Sequence, residues 1–168
     1  TSGESYRLGI EIAADITITD QLSVKPNIAI STNKNKDFVT TRDGGLVELG
    51  DTDISYSPSV VAGNMILYRP LKNLQIGFLS KYVGEQYMGN IDSETSKLDA
   101  FFVNDLNIVY ELNKVPVFKS IVLTGLVNNV FDETYESNGY FYTYPGQNSR
   151  TVEEVYYYPQ AGINFLVG

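Results

Sequence analysis

The sequence predicts an all-β fold: an antiparallel transmembrane β-barrel wall of about seven strands, forming part of a larger barrel. Three observations lead there. Long stretches alternate apolar and polar residues with a period of two, the mark of a strand with one apolar face. These stretches run for about a dozen residues, the length a tilted strand needs to cross a bilayer and roughly twice the usual soluble strand. The connections between them alternate short and long, as in outer-membrane barrels, where short turns lie on the periplasmic side.

The first strand is expected over residues 5–18. Tyr6, Leu8, Ile10, Ile12, Ala14, Ile16 and Ile18 fall on one face; Arg7, Gly9, Glu11, Ala13, Asp15 and Thr17 fall on the other. Residues 22–34 follow after the short turn Thr19–Gln21, with Leu22, Val24, Ile28 and Ile30 opposing Ser23, Lys25, Asn27 and Ser31. If Ile18 faces Leu22, the register sets Asp15 opposite Lys25. The third strand, 57–69, alternates poorly. Its Asn64 falls on the apolar face, while Val61, Met65 and Leu67 fall on the polar one. Strands over 74–86, 100–112, 120–130 and 155–167 complete the set, joined by short turns at Pro70–Asn73 and Asn113–Lys119. Asn104 interrupts the fifth. Pro26 and Pro159 lack an N–H and mark a bulge or an end of regular pairing. The apolar sets are expected to meet lipid. The polar set, with Arg7, Glu11, Asp15, Lys25, Asp105 and Glu111, is expected to face the lumen.

Tyrosine is half apolar and half wet, and it suits the two interfaces of a membrane. The chain has 13 Tyr and no Trp. Tyr68 and Tyr110 sit beside short turns, and Tyr6, Tyr82 and Tyr157 toward the long loops, as two aromatic girdles would require. Seven is an odd number, whereas bacterial barrels of this kind have even strand counts. The first and seventh strands would also be open edges in hydrocarbon, which is not tolerated. The wall is therefore read as a piece of a larger barrel.

Residues 34–55, 85–99 and 131–154 are read as three long loops. They carry 5 basic and 14 acidic residues, a net of −9 against +1 for the rest of the chain, so the overall net charge of −8 resides in them. That charge argues against a nucleic-acid partner. The chain has no His and no Cys, which removes the commonest general base, the commonest transition-metal ligand and every thiolate. No catalytic constellation is present and an enzyme is not expected. Asp51 with Asp53, and Asp92 with Glu94, lack the glycine spacing of an EF-hand loop, so no metal site or cofactor is assigned. Glu153 and Glu154 read as solvated surface. The third long loop gathers Tyr135, Tyr140, Tyr142, Tyr144 and Arg150, aromatic contact area beside a guanidinium that can take a carboxylate or phosphate. These are the expected ligand-binding residues.

Four segments resemble the C-terminal barrel of TonB-dependent outer-membrane receptors of the Bacteroidota type. They are Ser5–Glu11, Phe102–Leu106, Val127–Tyr135 with its Asn-Asn-Val-Phe core, and Tyr157–Phe165. They occur in the family's order across nearly all of the chain. The resemblance implies that 1–168 is the C-terminal portion of such a barrel, with the plug domain and TonB box absent. It implies TonB-coupled uptake of a scarce nutrient, such as a siderophore or other iron chelate or haem, in the outer membrane of a Gram-negative bacterium. The implied partners are the rest of its own barrel and plug, TonB, outer-membrane lipid and the transported ligand. A passive porin or structural barrel is the alternative reading; a soluble β-sandwich binding module is a further one.

Overall fold

The computed structural model describes residues 3–115 and 118–168. The wall is one antiparallel sheet in which β1 (Glu4–Ala13), β3 (Leu22–Arg42), β5 (Val60–Leu71), β6 (Leu74–Val83), β9 (Phe101–Val115), β10 (Phe118–Asn128) and β13 (Asn164–Val167) lie side by side in that order. β2 (Ile16–Thr19) continues β1 along β3. Away from the wall, β4 (Gly45–Asp53) pairs with the upper part of β3. β7 (Gln86–Tyr87) pairs with β8 (Lys97–Leu98), and β11 (Glu136–Pro145) with β12 (Thr151–Pro159). Among the described residues no helix is long and apolar enough to cross a membrane, which says nothing against crossing by strands. β1 and β13 are the two edges of the wall and do not pair with each other, so the sheet is open.

The register keeps each face continuous from strand to strand. Ile12 pairs with Ile28, Ile28 with Ala62, Ala62 with Tyr82 and Tyr82 with Phe102, an apolar row across five strands. On the other face Glu11 pairs with Ala29, Lys25 with Met65, and Leu79 with Asp105. Large apolar side chains stand uncovered at both margins of the wall: Leu8 and Ile10 are each 70% exposed on one, and Phe165 is 76% exposed on the other. Uncovered large apolar side chains on a sheet mark a surface that meets a protein partner or lipid.

Pro26 explains the one break in the first strand, expected to be continuous over 5–18. The Ala14 N–H donates to the Pro26 carbonyl at 3.0 Å. Proline has no N–H to return the bond, so β1 ends at Ala13 and β2 begins at Ile16. Beyond the gap the register is unchanged: Thr17 pairs with Ser23 as Ile12 does with Ile28, and only Thr19 opposite Leu22 departs from it, at the turn. The misfit residues of the apolar face also fall together. Asn64 pairs with Ser80, and Ser80 with Asn104. The Ser80 hydroxyl donates to Asn104 Oδ1 at 2.7 Å, which reduces the cost of a polar row on that face.

Three expectations about the upper half are corrected. The segment 34–55 is not a loop. β3 runs on to Arg42, turns at Asp43–Gly44 and returns as β4. Asp43 (φ 52°) and Gly44 (φ 79°) both have positive φ, the two-residue turn that matches the twist of a hairpin. The segment 131–154 likewise contains β11 and the start of β12. The expected strand over 155–167 is split: β12 leaves the wall to pair with β11, and only β13 joins β10. Tyr157 therefore belongs to no girdle; its hydroxyl lies 3.3 Å from the Thr95 carbonyl. Ile163, inside the expected strand over 155–167, sits just before β13. The tip of the expected turn Asn113–Lys119, at Pro116 and Val117, lies outside the described residues.

The split is built by the Val127–Tyr135 segment. Asn129 (φ 50°) and Asp132 (φ 54°) turn the chain sharply. The Asn129 N–H donates to Asp105 Oδ1 at 2.8 Å, and the Ile163 N–H donates to Asp132 Oδ1 at 2.8 Å. The Gln160 N–H donates to the Tyr135 carbonyl at 3.0 Å. Pro159, with no N–H to offer, ends β12 at this corner. Two of the segments singled out in the sequence thus hold each other.

A candidate ligand site among the long loops

The three long segments gather at one end of the wall in layers. Asn35 lies on the same face as Arg7, since Arg7 pairs with Asn33. Its Nδ2 donates to Asn90 Oδ1 at 3.2 Å, and Asn90 Oδ1 also accepts the Ser55 N–H at 2.9 Å. The Asp53 N–H donates to Asp92 Oδ1 at 2.8 Å, and partial burial raises the Asp92 carboxyl above its usual range. Asp53 itself pairs with Lys34 at 2.7 Å. Asp53 and Asp92, each half of an acidic pair in the sequence, are thus spent on protein contacts. Among the described residues no group of three or more carboxylates is placed to hold a metal ion.

The β11–β12 hairpin covers this layer. Phe141 lies over Gly89, and the Met88 sulfur over Gly139. The Tyr56 hydroxyl donates to the Gly139 carbonyl at 2.7 Å. The hairpin's opposite face carries the tyrosines, because alternate residues of a strand point to opposite sides. Tyr140 pairs with Tyr156, and Tyr142 with Glu154. The Tyr140 and Tyr142 ring centroids are 5.2 Å apart, and those of Tyr142 and Tyr144 5.8 Å. Tyr142 and Tyr144 both donate their hydroxyls to Glu154, the latter at 2.7 Å. These bonds lower the Glu154 carboxyl and raise both phenols. Glu154, expected as solvated surface, is also the hub of an aromatic ladder.

The five expected ligand residues therefore separate into three places. Tyr140, Tyr142 and Tyr144 form the ladder. Tyr135 stacks on Phe101 at 4.4 Å near the wall. Arg150, at the tip of the β11–β12 hairpin, lines a cavity of about 590 Å³ between the three segments. The β3–β4 tip contributes Arg42 and Asp43, the middle segment Asp92, Ser93 and Glu94, and the β11–β12 tip Thr151 and Glu153. Two bonds in opposite senses join the tips: the Asp43 N–H donates to Thr151 Oγ1 and the Thr151 N–H to Asp43 Oδ1, each at 2.7 Å. Ser93 Oγ donates to Glu153 Oε2 at 2.5 Å. The sequence alone assigns Arg42, Asp43 and Thr151 no role, and it presents Glu153 as solvated surface. The Asp43–Gly44 pair, flanked by Thr and Leu-Val residues, was the signal that would have found the hairpin.

The expected polar residues of the wall share one face by register: Arg7, Glu11, Lys25, Asp105 and Glu111. Asp15 reaches Lys25 in an ion pair.

No family model matches the chain, and no curated protein matches it in sequence. Solved structures do. The siderophore receptor PiuA of Acinetobacter baumannii superposes on 97% of the chain with a TM-score of 0.71 and 18% identity. The ferric yersiniabactin uptake receptor FyuA of Yersinia pestis superposes on 98%, with a TM-score of 0.64 and 17% identity. The chain has the fold of a siderophore-receptor barrel wall. The open form of the ferric-catecholate import receptor Fiu of Escherichia coli K12 repeats the likeness over 97% of the chain, at a TM-score of 0.63 and 16% identity. The chain spans about a fifth of each of these receptors: 21%, 23% and 20% of their lengths. All three are receptors rather than enzymes.

Proposed function

We propose that this chain is the C-terminal part of a TonB-dependent receptor of the Bacteroidota type, lodged in the outer membrane of a Gram-negative bacterium and importing an iron chelate. The observation that carries the reading is the match of nearly the whole chain to the walls of three receptors whose names specify siderophores or ferric chelates. The open edges at β1 and β13 support it, since each would pair with a further strand of the same barrel. The face bearing Arg7, Glu11, Lys25, Asp105 and Glu111 would look into the lumen. Its apolar interruptions, Val61, Met65, Leu79 and Val103, border one shallow hollow, a surface suited to a plug. The apolar face would meet lipid. Ligand would be taken up among the long hairpins, and energy would come through TonB acting on the plug.

The test is iron uptake by cells carrying or lacking the gene for the full-length protein. Loss of the gene should stop growth on chelated iron when iron is scarce. Collapsing the proton-motive force should stop uptake but spare binding at the cell surface. Uptake that continues without the force would point instead to a passive porin.

A further inference from the structure

We infer that the cavity between the hairpin tips binds an aliphatic ligand through a carboxylate group, gripped by Arg42 and Arg150. The inference rests on the iron-chelate reading above and names the chelate class: a carboxylate chelate, not a catecholate or haem.

Three observations carry it. First, the Asp43–Thr151 bonds join two tips that each bear an arginine one residue earlier in the chain, and both arginines line the same cavity. Neither guanidinium has a hydrogen bond, ion pair or ring contact among the described residues. Two unpaired guanidiniums lining one cavity leave both forks open to an anion. A guanidinium's fork matches a carboxylate through two parallel bonds. Second, the nearby carboxylates are already engaged. Glu153 accepts from Ser93, Asp43 from Thr151, Asp92 from the Asp53 N–H, and Glu94 from Tyr87 while 3.8 Å from Lys97. These carboxylates keep their charge, but their oxygens are occupied; the donors left for a ligand are the two guanidiniums and threonine hydroxyls, including those of Thr40, Thr95 and Thr143. Third, no aromatic side chain lines this cavity. The tyrosine ladder is on the other face of the hairpin, so a flat ring would find no partner to stack on. A volume of about 590 Å³ is that of a small-molecule site.

The experiment uses the full-length protein in detergent, with ferric citrate, a ferric tris-catecholate, haemin and inorganic phosphate as probes in calorimetric titrations. The wild type should bind ferric citrate most tightly. Arg42→Gln and Arg150→Gln should each weaken it roughly ten- to hundredfold, the loss expected for a charge-assisted hydrogen bond, and the double variant should bind it no better than an unrelated barrel. Both side chains are exposed, and protease resistance equal to wild type confirms that the variants are folded. Tight binding of the catecholate or haemin, indifferent to both substitutions, would overturn the inference and leave the uptake reading standing. Phosphate competing as well as citrate would overturn the carboxylate assignment. Failure of every chelate to bind would remove the uptake reading itself, and this inference with it.

Discussion

Asp15 and Lys25 face each other across the first hairpin, with Lys25 Nζ 2.5 Å from Asp15 Oδ2. They meet beside the break at Ala14 and Pro26, where a backbone bond is missing. Both side chains are open to solvent, at 61% and 43% exposure. An exposed pair contributes little, roughly 0.2–1 kcal/mol. A double-mutant cycle on Asp15→Asn and Lys25→Gln should give a coupling within that range, measured by urea unfolding of the full-length protein in lipid vesicles. A coupling of several kcal/mol would mean that the pair is shielded from water in the assembled barrel.

Ile12 and Ala13 are neighbours on opposite faces. Ile12 pairs with Ile28 and Ala13 with Asn27. Ile12→Arg should destabilise the inserted barrel by about 2–4 kcal/mol if the residue lies near the bilayer midplane, and Ala13→Arg by much less. Assembly yield in vesicles reads the difference. Equal tolerance at the two positions would reverse or abolish the assignment of faces.

Gly162 is where the corner before β13 is tightest. A Cβ there would stand 2.6 Å from Asp132 Oδ1, the same oxygen that accepts the Ile163 N–H. Gly162→Ala should push the carboxylate aside and break that bond. Asp132→Ala should remove the acceptor at a cost of about 0.5–1.5 kcal/mol, since the bond is exposed. Both should expose residues 159–163 to protease while the wall stays folded. If neither variant raises cleavage there, the Asp132 bond is not what bends the chain.

Glu154 gives the β11–β12 hairpin a pH window. Hydrogen bonds from Tyr142 and Tyr144 lower its carboxyl below the ordinary 4.5, so its contribution is present above that value and is lost as pH falls through the lowered one. The same bonds raise both phenols above the ordinary 10, so their contribution is complete below pH 10 and is lost as pH rises through the raised values. Ultraviolet titration of Glu154→Gln should show two tyrosines ionising closer to 10 than in the wild type. Superimposable titration curves would show that the hydroxyls do not depend on Glu154.

The sequence by itself determined the wall up to its sixth strand. Period-two alternation is local, and a hairpin's register follows from its turn, so the pairing of Asp15 with Lys25 and the two continuous faces could be read from the residues. Even the misfits were informative: Pro26 lies opposite the break, and Asn64 and Asn104 fall in one row through Ser80. The roof was decided by tertiary structure. Polar hairpins such as β3–β4 and β11–β12 bury little apolar surface, so their alternation mixes Thr, Tyr, Glu and Gly and resembles loop. The corner at Asn129–Asp132 works through side chains that reach residues about thirty positions away. The tips of the two hairpins meet through Asp43 and Thr151, 108 residues apart. No local period encodes a contact of that separation, and for that reason one expected ligand cluster became a tyrosine ladder, a stacked Tyr135 and an arginine-lined cavity.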